Sequence, residues 1–327
     1  MVNVRVILHG KAAGDPRVRT AVDALRQDGF RIEVRVTWEP GDAARLTTEA
    51  VAESRAGKID CIVAGGGDGT ISEVFAAAYL AGLPHRSTLG LLPLGTANDF
   101  AHSAGVPVQD ITAALQVAVS APPRWIDLGM VDGRPFVNLV SGGFGCRVTV
   151  ETDPELKRRL GGAAYAITGI SHFAELSASR GRFRAKGFSW EGPFLALAIG
   201  NGRNAGGGVP LCPQALLDDG LLDLTILPEL DRAARLDAFS HLLREGVAAI
   251  PAVLAAARSS WIEYESADDL NVNLDGEPVV TKRFRVECRQ RALPVRLGEG
   301  ALLSSSERVA DQRREPAVLS PPSQEEG

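Results

Sequence analysis

The first part of the chain alternates between strand-like segments and segments with helical spacing. Polar–apolar alternation or a short apolar run predicts β-strands at residues 2–8, 31–36, 61–64 and 89–93. Apolar positions at helical spacing predict helices at residues 17–27, 43–56, 71–81 and 111–119. Strand and helix alternate in this way to about residue 120, which is typical of an α/β domain with a mostly parallel sheet.

The pattern changes after Pro122-Pro123. Short runs beside glycines predict strands at residues 125–130, 134–140, 182–190, 194–199, 221–226, 261–266, 272–274, 284–288 and 293–297. Two helical stretches interrupt them, at residues 154–174 and 231–257. We therefore expect an α/β domain over residues 1–125 and a β-rich sandwich or open barrel over 126–300, whose last strand could return to the first domain. Residues 304–327 contain few large apolar side chains and are predicted to be disordered.

Composition limits the class of protein. The chain has 327 residues, of which 45% are hydrophobic and 23% charged, as in a soluble globular protein of about two domains. With 35 basic and 40 acidic residues, the net charge of −5 argues against a broad nucleic-acid-binding face. The four cysteines lie far apart without metal-binding spacing, which is usual in a reducing compartment.

Nothing in the sequence predicts a membrane-spanning segment. The longest uncharged runs have about a dozen residues or slightly more, whereas a spanning helix needs about 20. The first residues lack the layout of a signal peptide. We expect a cytoplasmic protein whose membrane contact, if any, is peripheral; a homo-oligomer is compatible with the sequence.

The strongest local motif is a glycine-rich segment between a predicted buried strand and a predicted helix. It contains Gly65, Gly66, Gly67, Asp68, Gly69 and Thr70. Such glycines let backbone N–H groups approach a phosphate, and the start of the helix adds a favourable partial charge. Asp68 suits a magnesium ion or its waters, although a simple turn capped by Asp68 is equally compatible with the pattern. The segment matches neither the P-loop nor the dinucleotide-binding fingerprint.

A second polar loop, with Thr96 and Asn98, follows the next strand. In a parallel sheet both loops open on the same edge, where ligands usually bind. Lys11 follows the first strand and could contact phosphate in the same cleft. The alternative is that Thr96 or Asn98 only caps a helix.

Two acidic segments lie in the second half of the chain. Asp275 and Glu277 would point the same way in an extended segment and could supply a general base, although Asp-Gly is also a common hairpin turn. Residues 216–222 contain Asp218 and Asp219 before a glycine, and could bind a hard cation or form a turn. In the loop before them, Arg203 could contact phosphate or be solvated.

These motifs together resemble the diacylglycerol kinase catalytic-domain family, and in particular the bacterial YegS-type lipid kinases. The resemblance runs from about residue 4 to 298 and is carried by residues 36–39, 41–45, 66–70, 90–100, 141–145, 199–208 and 274–278. It implies an N-terminal nucleotide-binding domain similar to NAD kinases and diacylglycerol kinases, a C-terminal β-sandwich, and ATP in the cleft between them. His9 departs from the pattern, since many relatives have Asn there.

The resemblance also implies roles for individual residues. Thr37, Thr96 and residues 65–70 would bind ATP. Glu277 would accept the proton, with Asp275 beside it. The carbonyls of Leu216 and Leu221 and the side chain of Asp219 would hold a structural Mg²⁺, or Ca²⁺ in its place. Asp68 would be tied to the catalytic Mg²⁺, with Asp99 and Asp127 as weaker candidates for the same network.

We therefore expect an ATP-dependent lipid kinase that phosphorylates a glycerolipid hydroxyl, with phosphatidylglycerol as the acceptor the resemblance suggests. The alternatives are a diacylglycerol or sphingoid-base kinase, an NAD kinase, and an inactive lipid-binding regulatory protein. A lipid substrate requires docking at the bilayer surface. Arg158-Arg159 and residues 180–186 are candidate docking patches, against the simpler reading of a solvated helix end and an exposed strand.

Overall fold

The computed structural model describes residues 1–143, 178–231 and 254–304. The predicted helix at 154–174, most of the one at 231–257 and the tail beyond Ser304 lie outside the described residues.

The first half folds as an α/β unit, as the alternating pattern predicts. Its elements are β1 (Asn3–Leu8), α1 (Pro16–Gln27), β2 (Arg31–Val36), α2 (Asp42–Arg55), β3 (Cys61–Gly66), α3 (Asp68–Leu80), β4 (Thr88–Pro93), α4 (Asp99–Ser103) and α5 (Ile111–Ser120). The strands pair in parallel in the order β4-β3-β1-β2. Because β3 and β4 are buried along their whole length, they appear in the sequence as apolar runs without alternation. The carboxyl ends of all four strands therefore meet at one edge.

The second half is dominated by antiparallel strands, which confirms the predicted sandwich-type domain. The strands are β5 (Pro123–Val131), β6 (Arg134–Phe136), β7 (Leu139–Gly143), β8 (Ser179–Ala185), β9 (Phe188–Gly200), β10 (Asn204–Ala205), β11 (Val209–Pro210), β12 (Leu222–Pro228), β13 (Ala255–Ser259), β14 (Trp261–Leu274) and β15 (Glu277–Arg296). Its core is a separate apolar cluster that includes the rings of Phe183, Phe194 and Tyr264.

Several predicted boundaries in this half are wrong. The segment predicted as one strand at 182–190 turns back on itself, because Gly187 has a φ of 72° between β8 and β9. The two strands predicted between 261 and 274 form one strand with a register shift after Glu265. Residues 255–257, predicted as the end of a helix, belong to β13 and pair with β12. Backbone pairing decides these cases, and local apolar spacing does not report it.

Strand β15 joins the two halves. It pairs antiparallel with β5 over residues 286–296, and near its end Val295 pairs in parallel with Leu89 of β4. Leu293 and Val295 are buried in the core of the first half. A single sheet therefore runs through both halves, and the β14–β15 hairpin is held at a fixed position opposite the parallel strand ends.

Candidate active site

A cleft of about 1170 Å³ lies between the two halves. One side, which we call the glycine wall, is formed by Gly66, Gly67, Gly69 and Thr70 after β3 and by residues 94–96 after β4. The other side, the hairpin wall, is formed by residues 133–135 and 274–277. Lys11, other residues of the loop after β1, and parts of α2 and α3 also line the cleft. Eight of the predicted site residues line this cleft: Lys11, Gly66, Gly67, Gly69, Thr70, Thr96, Asp275 and Glu277. The others, which are Thr37, Gly65, Asp68, Leu216, Asp219 and Leu221, are not among its lining residues.

The glycine wall depends on a close approach of two backbones. A Cβ atom placed on Gly95 would lie 2.5 Å from Cα of Gly67, which is closer than real side chains come. Asn98 holds the second loop in place, because its side chain accepts a hydrogen bond from the Gly95 amide and donates one to the Gly95 carbonyl, both at 2.9 Å. The Asn98 side chain therefore stabilises the loop after β4 and does not cap α4.

The start of α3 faces the cleft without a side-chain cap. Gly67 occupies the N-cap position and makes no capping hydrogen bond. Asp68, the alternative cap, instead accepts the amide of Phe100 at 3.0 Å and so ties the two loops together. A Cβ on Gly66 would meet the Thr70 hydroxyl at 2.5 Å, so Thr70 packs directly under the loop. Free N–H groups at a helix start favour an anion, and the geometry suits phosphate.

The side chains of Asp99 and Asp127 do not line the cleft and accept hydrogen bonds from backbone amides of other loops. Asp99 accepts the amides of Gly207 and Gly208 at 3.1 and 2.6 Å, and burial raises the pKa of Asp99. Asp127 is fully buried and accepts the amides of Gly220 and Arg291 at 2.6 and 2.7 Å. Burial raises the pKa of Asp127 to about 6. Both carboxylates therefore tie loops of the second half to the rest of the fold.

A smaller pocket of about 580 Å³ continues the cleft towards the ends of β1 and β2. It shares His9, Lys11 and Thr70 with the main cleft. Thr37 lines it, and its hydroxyl accepts the Gly10 amide at 3.1 Å, which joins the loops after β1 and β2. Trp38 stands at the rim with 93% of its surface exposed.

Asp275 and Gly276 form the two-residue turn of the β14–β15 hairpin. Both have positive φ, 47° and 105°, and Leu274 pairs with Glu277 across the turn. Of the two alternatives that the sequence left open, the Asp-Gly hairpin turn is confirmed, and the extended segment with two parallel carboxylates is not formed. The Asp275 carboxylate accepts hydrogen bonds from the Ser72 hydroxyl at 2.6 Å and from the amides of residues 137–139 at 2.7 to 3.1 Å.

The hydrogen-bond donors that surround the Asp275 carboxylate suit it to a structural role. Burial raises the pKa of the Asp275 carboxyl, and the Ser72 hydroxyl and the backbone amides act in the opposite direction. Its oxygens are used to hold α3, the β6–β7 connection and the hairpin together. Glu277, in contrast, has 73% of its side chain exposed and forms an ion pair with Arg134 at 2.8 Å.

The acidic loop at 216–221 contains the oxygen ligands that a hard cation prefers, but both carboxylate oxygens of Asp219 already bind protein groups. Asp219 Oδ1 accepts the Leu221 amide at 3.0 Å, and Oδ2 is bound by the Arg258 guanidinium. Among the described residues, no group of three or more His, Cys, Asp or Glu side chains is placed to hold a metal. As the loop stands, Arg258 occupies the place of a cation on Asp219.

Three residues of the cleft were missed by sequence reasoning. Ser72 binds Asp275, Arg134 binds Glu277, and Glu73 accepts the Ala44 amide at 3.1 Å. Arg134 follows an Asp132-Gly133 turn with positive φ at both residues, the same signal as at Asp275-Gly276. That repeated signal could have marked Arg134, whereas Ser72 and Glu73 carry none.

The other basic candidates among the described residues lie outside the main cleft. Arg203 donates through Nε to the Ala215 carbonyl at 2.8 Å and is not among the residues that line the cleft. Arg182 pairs with Glu191 at 2.7 Å, and Arg184 lies 3.5 Å from Glu263. Arg158-Arg159 lies outside the described residues. In the described ranges no helix is long and apolar enough to cross a membrane.

Comparison with known proteins gives two matching family models. Residues 3–131 match the diacylglycerol kinase catalytic domain, and residues 138–297 match the YegS C-terminal NAD kinase beta sandwich-like domain. A protein of Pseudomonas aeruginosa named "Probable lipid kinase YegS-like" is 48% identical over 92% of this chain and 96% of its own length. One of the same name from Xanthomonas euvesicatoria is 46% identical over 91% and 97%.

A solved structure shows the same fold. The crystal structure of a diacylglycerol kinase from Bacillus anthracis superposes with a TM-score of 0.73 at 25% identity, and covers 91% of this chain and 97% of its own.

Proposed function

The chain belongs to the family of YegS-like lipid kinases, and from that premise we propose that it transfers the terminal phosphate of ATP to a hydroxyl of phosphatidylglycerol. Membership makes the protein a phosphotransferase that acts on an alcohol group of a lipid. ATP as the donor and phosphatidylglycerol as the acceptor are the parts that we add.

One observation carries the proposal: a phosphate-type backbone loop faces an exposed carboxylate across one cleft. Phosphoryl transfer needs an aligned hydroxyl, a base and stabilisation of the phosphate charge. The backbone of residues 66–70 supports the phosphates, with Thr96 and Lys11 nearby, while Thr37 lines the side pocket that would take the nucleoside.

Glu277 is the residue that we assign as the base. Its carboxylate takes the proton of the lipid hydroxyl as that oxygen bonds to the γ-phosphorus, and the bond to the bridging oxygen of ATP breaks to release ADP. The Glu277 carboxylate is exposed to the cleft, which supports this assignment. The carboxylate of Asp275 already accepts hydrogen bonds from four donors. Asp275 therefore acts as a positioning residue for the hairpin.

The surface of α3 supports a lipid acceptor. Ala76, Ala77, Leu80 and Ala81 follow helical spacing and line the cleft beyond Thr70. Leu80 is 65% exposed, although it is a large apolar residue. An apolar face that continues from the phosphate loop can contact the apolar part of a glycerolipid that enters the cleft from a membrane surface. We propose that the protein works peripherally at that surface.

A divalent cation is part of the proposal because such ions bridge the phosphates of ATP and neutralise their charge. We propose Mg²⁺, with Asp68 as the carboxylate that the loop itself supplies. Its Oδ1 accepts the Phe100 amide, so Oδ2 is the oxygen that would meet the ion or its waters. Leu216, Asp219 and Leu221 hold a second ion only if Asp219 exchanges Arg258 for it. Ca²⁺ in either place is the alternative.

The test is transfer of label from γ-labelled ATP, with Mg²⁺ and then Ca²⁺, to acceptors in mixed micelles. The acceptors are phosphatidylglycerol, diacylglycerol, a sphingoid base and soluble NAD, and Asp68→Ala is the comparison variant. We expect label in phosphatidylglycerol with Mg²⁺, and loss of it in the variant. Label only in another lipid would correct the acceptor; label only in NAD, or none from protein that binds ATP, would overturn the proposal.

A further inference from the structure

Arg134 is a charged residue of the cleft to which the proposed reaction gives no role. It begins β6, directly after the Asp132-Gly133 turn. Its guanidinium Nη2 donates to Oε2 of Glu277 at 2.8 Å, so it holds an oxygen of the residue assigned as the base. A reaction that uses this oxygen has to release it first.

The ion pair is of a kind that is easily exchanged. The side chains of Arg134 and Glu277 are 54% and 73% exposed, so water reaches both. Exposed ion pairs contribute only about 0–1 kcal/mol to stability. A phosphate carries more negative charge than one carboxylate, and the planar guanidinium can bind it through two parallel hydrogen bonds. Phosphate in the cleft therefore competes well for Arg134.

The position of Arg134 fits this exchange. The lysine and arginine side chains that line the cleft among the described residues are Lys11, beside the loop after β1, and Arg134, on the hairpin wall. For a nucleotide whose phosphates bind the glycine wall, the opposite side of the cleft is the hairpin wall, where Arg134 and Glu277 lie together. The cation and the base thus face the transferred group from the same side.

We propose that Arg134 changes partners in the reaction: it holds Glu277 while the cleft lacks a nucleotide, and binds the γ-phosphate when ATP is present. The inference rests on the proposed function. The exchange leaves Oε2 of Glu277 open to the acceptor hydroxyl and places positive charge on the oxygens of the transferred group, where charge is concentrated during transfer. ADP lacks that group, so it leaves the ion pair intact.

The test compares the affinities of ATP and ADP by calorimetry without an acceptor lipid. In Arg134→Gln we expect ATP to bind about tenfold or more weakly, as for the loss of a charge-assisted hydrogen bond, with ADP changed less than about twofold. Arg134→Lys, which keeps the charge, is expected to recover part of the loss. Equal losses for ATP and ADP, or no loss, would overturn the inference.

Glu277→Gln tests the competition from the other side. Because the amide releases Arg134, ATP is expected to bind more tightly in this variant, and ADP is not. A gain could also come from lost repulsion between Glu277 and phosphate, so the double variant Arg134→Gln/Glu277→Gln decides. The gain should vanish in the double variant if Arg134 mediates it. A gain that persists there would contradict the exchange of partners.

Arg182→Gln is the matched control. Arg182 pairs with Glu191 at 2.7 Å with similar exposure, 50% and 56%, on the outer face of the sandwich. We expect its ATP and ADP affinities to equal those of the unmodified protein. Because this test uses binding alone, a failure of the ATP/ADP contrast refutes the role of Arg134 even if lipid is phosphorylated. Absence of lipid product refutes the proposed function instead.

Discussion

The two walls of the cleft are built by different physical means. The glycine wall is shaped by backbone: Gly67 and Gly95 touch, and the neighbouring side chains serve to hold the two loops together. The hairpin wall presents charged side chains, Glu277 and Arg134, that are more than half exposed. In the proposed reaction, a wall fixed by backbone contacts suits phosphates that stay in place, and an exposed ion pair suits groups that change partners. Variants should therefore separate the walls by their effects on binding, stability and turnover.

The largest expected effect is on turnover at the hairpin wall. Glu277→Gln removes the proposed proton acceptor and should lower kcat by about 10²–10⁴-fold, the usual contribution of general base catalysis. The unfolding temperature should not change, because the side chain is exposed. Steady-state transfer assays at saturating ATP measure the effect. Near-normal kcat in a folded Glu277→Gln protein would show that another group takes the proton.

At the glycine wall the expected effect falls on nucleotide binding and stability together. Gly95→Ala places a Cβ 2.5 Å from Cα of Gly67, so the backbone must shift, at a cost of about 1–3 kcal/mol as for other overpacked sites. Calorimetric titration with ATP and thermal unfolding would both report it. Gly69→Ala is the steric control for stability, since its Cβ would meet no atom within 4 Å. Equal unfolding temperatures for the two variants would contradict the role of the close contact.

Asp275→Asn should mainly lower the stability of the fold, whereas Glu277→Gln should mainly lower turnover. It puts an amide N–H₂ group among the donors that surround the carboxylate, leaving some of them without an acceptor, at about 2–3 kcal/mol of stability. Denaturant unfolding of both variants measures the contrast. If Asp275→Asn abolished turnover at unchanged stability while Glu277→Gln stayed active, Asp275 would be the base.

Acid should weaken the loop that carries Thr37. Arg45, together with the amides of Trp38 and Glu39, lowers the pKa of Asp42 from 3.8 to about 2. A carboxyl with a lowered folded pKa contributes stability that is complete above the unfolded value and is lost as the pH falls through the folded one. Asp42→Ala should therefore unfold more easily than the unmodified protein at pH 7, and the difference should shrink between pH 3.8 and about 2. A difference independent of pH over that window would refute this assignment.

The smallest expected effect concerns the acidic loop. If Mg²⁺ replaces Arg258 on Asp219, adding Mg²⁺ should raise the unfolding temperature by a few degrees, and more in Arg258→Gln than in the unmodified protein. Thermal unfolding with Mg²⁺ or a chelator, without nucleotide, gives the comparison. An unfolding temperature that does not change on adding Mg²⁺ in either protein would exclude a structural metal at Leu216, Asp219 and Leu221.

The two walls also differ in how far the sequence predicts them. Glycine spacing between a strand and a helix predicts the location of residues 65–70, because the steric requirement for glycine is local. The parallel order of the strands then brings the loop with Thr96 to the same edge. The helices and strands of the α/β half likewise agree closely with the hydrophobic pattern, because that pattern is also a local property of the sequence.

The hairpin wall depends on contacts between residues that are far apart in the chain. Ser72 and Asp275 are separated by 203 positions, and Arg134 and Glu277 by 143. No local pattern reports that one carboxylate of the hairpin is enclosed and the other exposed, so the sequence left the choice of base open. The continuous strand β14 and the turn at Gly187 were missed because pairing with neighbouring strands overrides local spacing.

The most direct test of the account is the stoichiometry of one reaction on phosphatidylglycerol vesicles, with ADP and phosphorylated lipid measured in the same samples over time. Transfer from ATP to the lipid hydroxyl should give one molecule of phosphorylated lipid for each ADP formed, and both products should form far more slowly in Glu277→Gln. Formation of ADP without phosphorylated lipid would contradict transfer from ATP to a lipid hydroxyl in this cleft, and equal rates in Glu277→Gln would contradict Glu277 as its base.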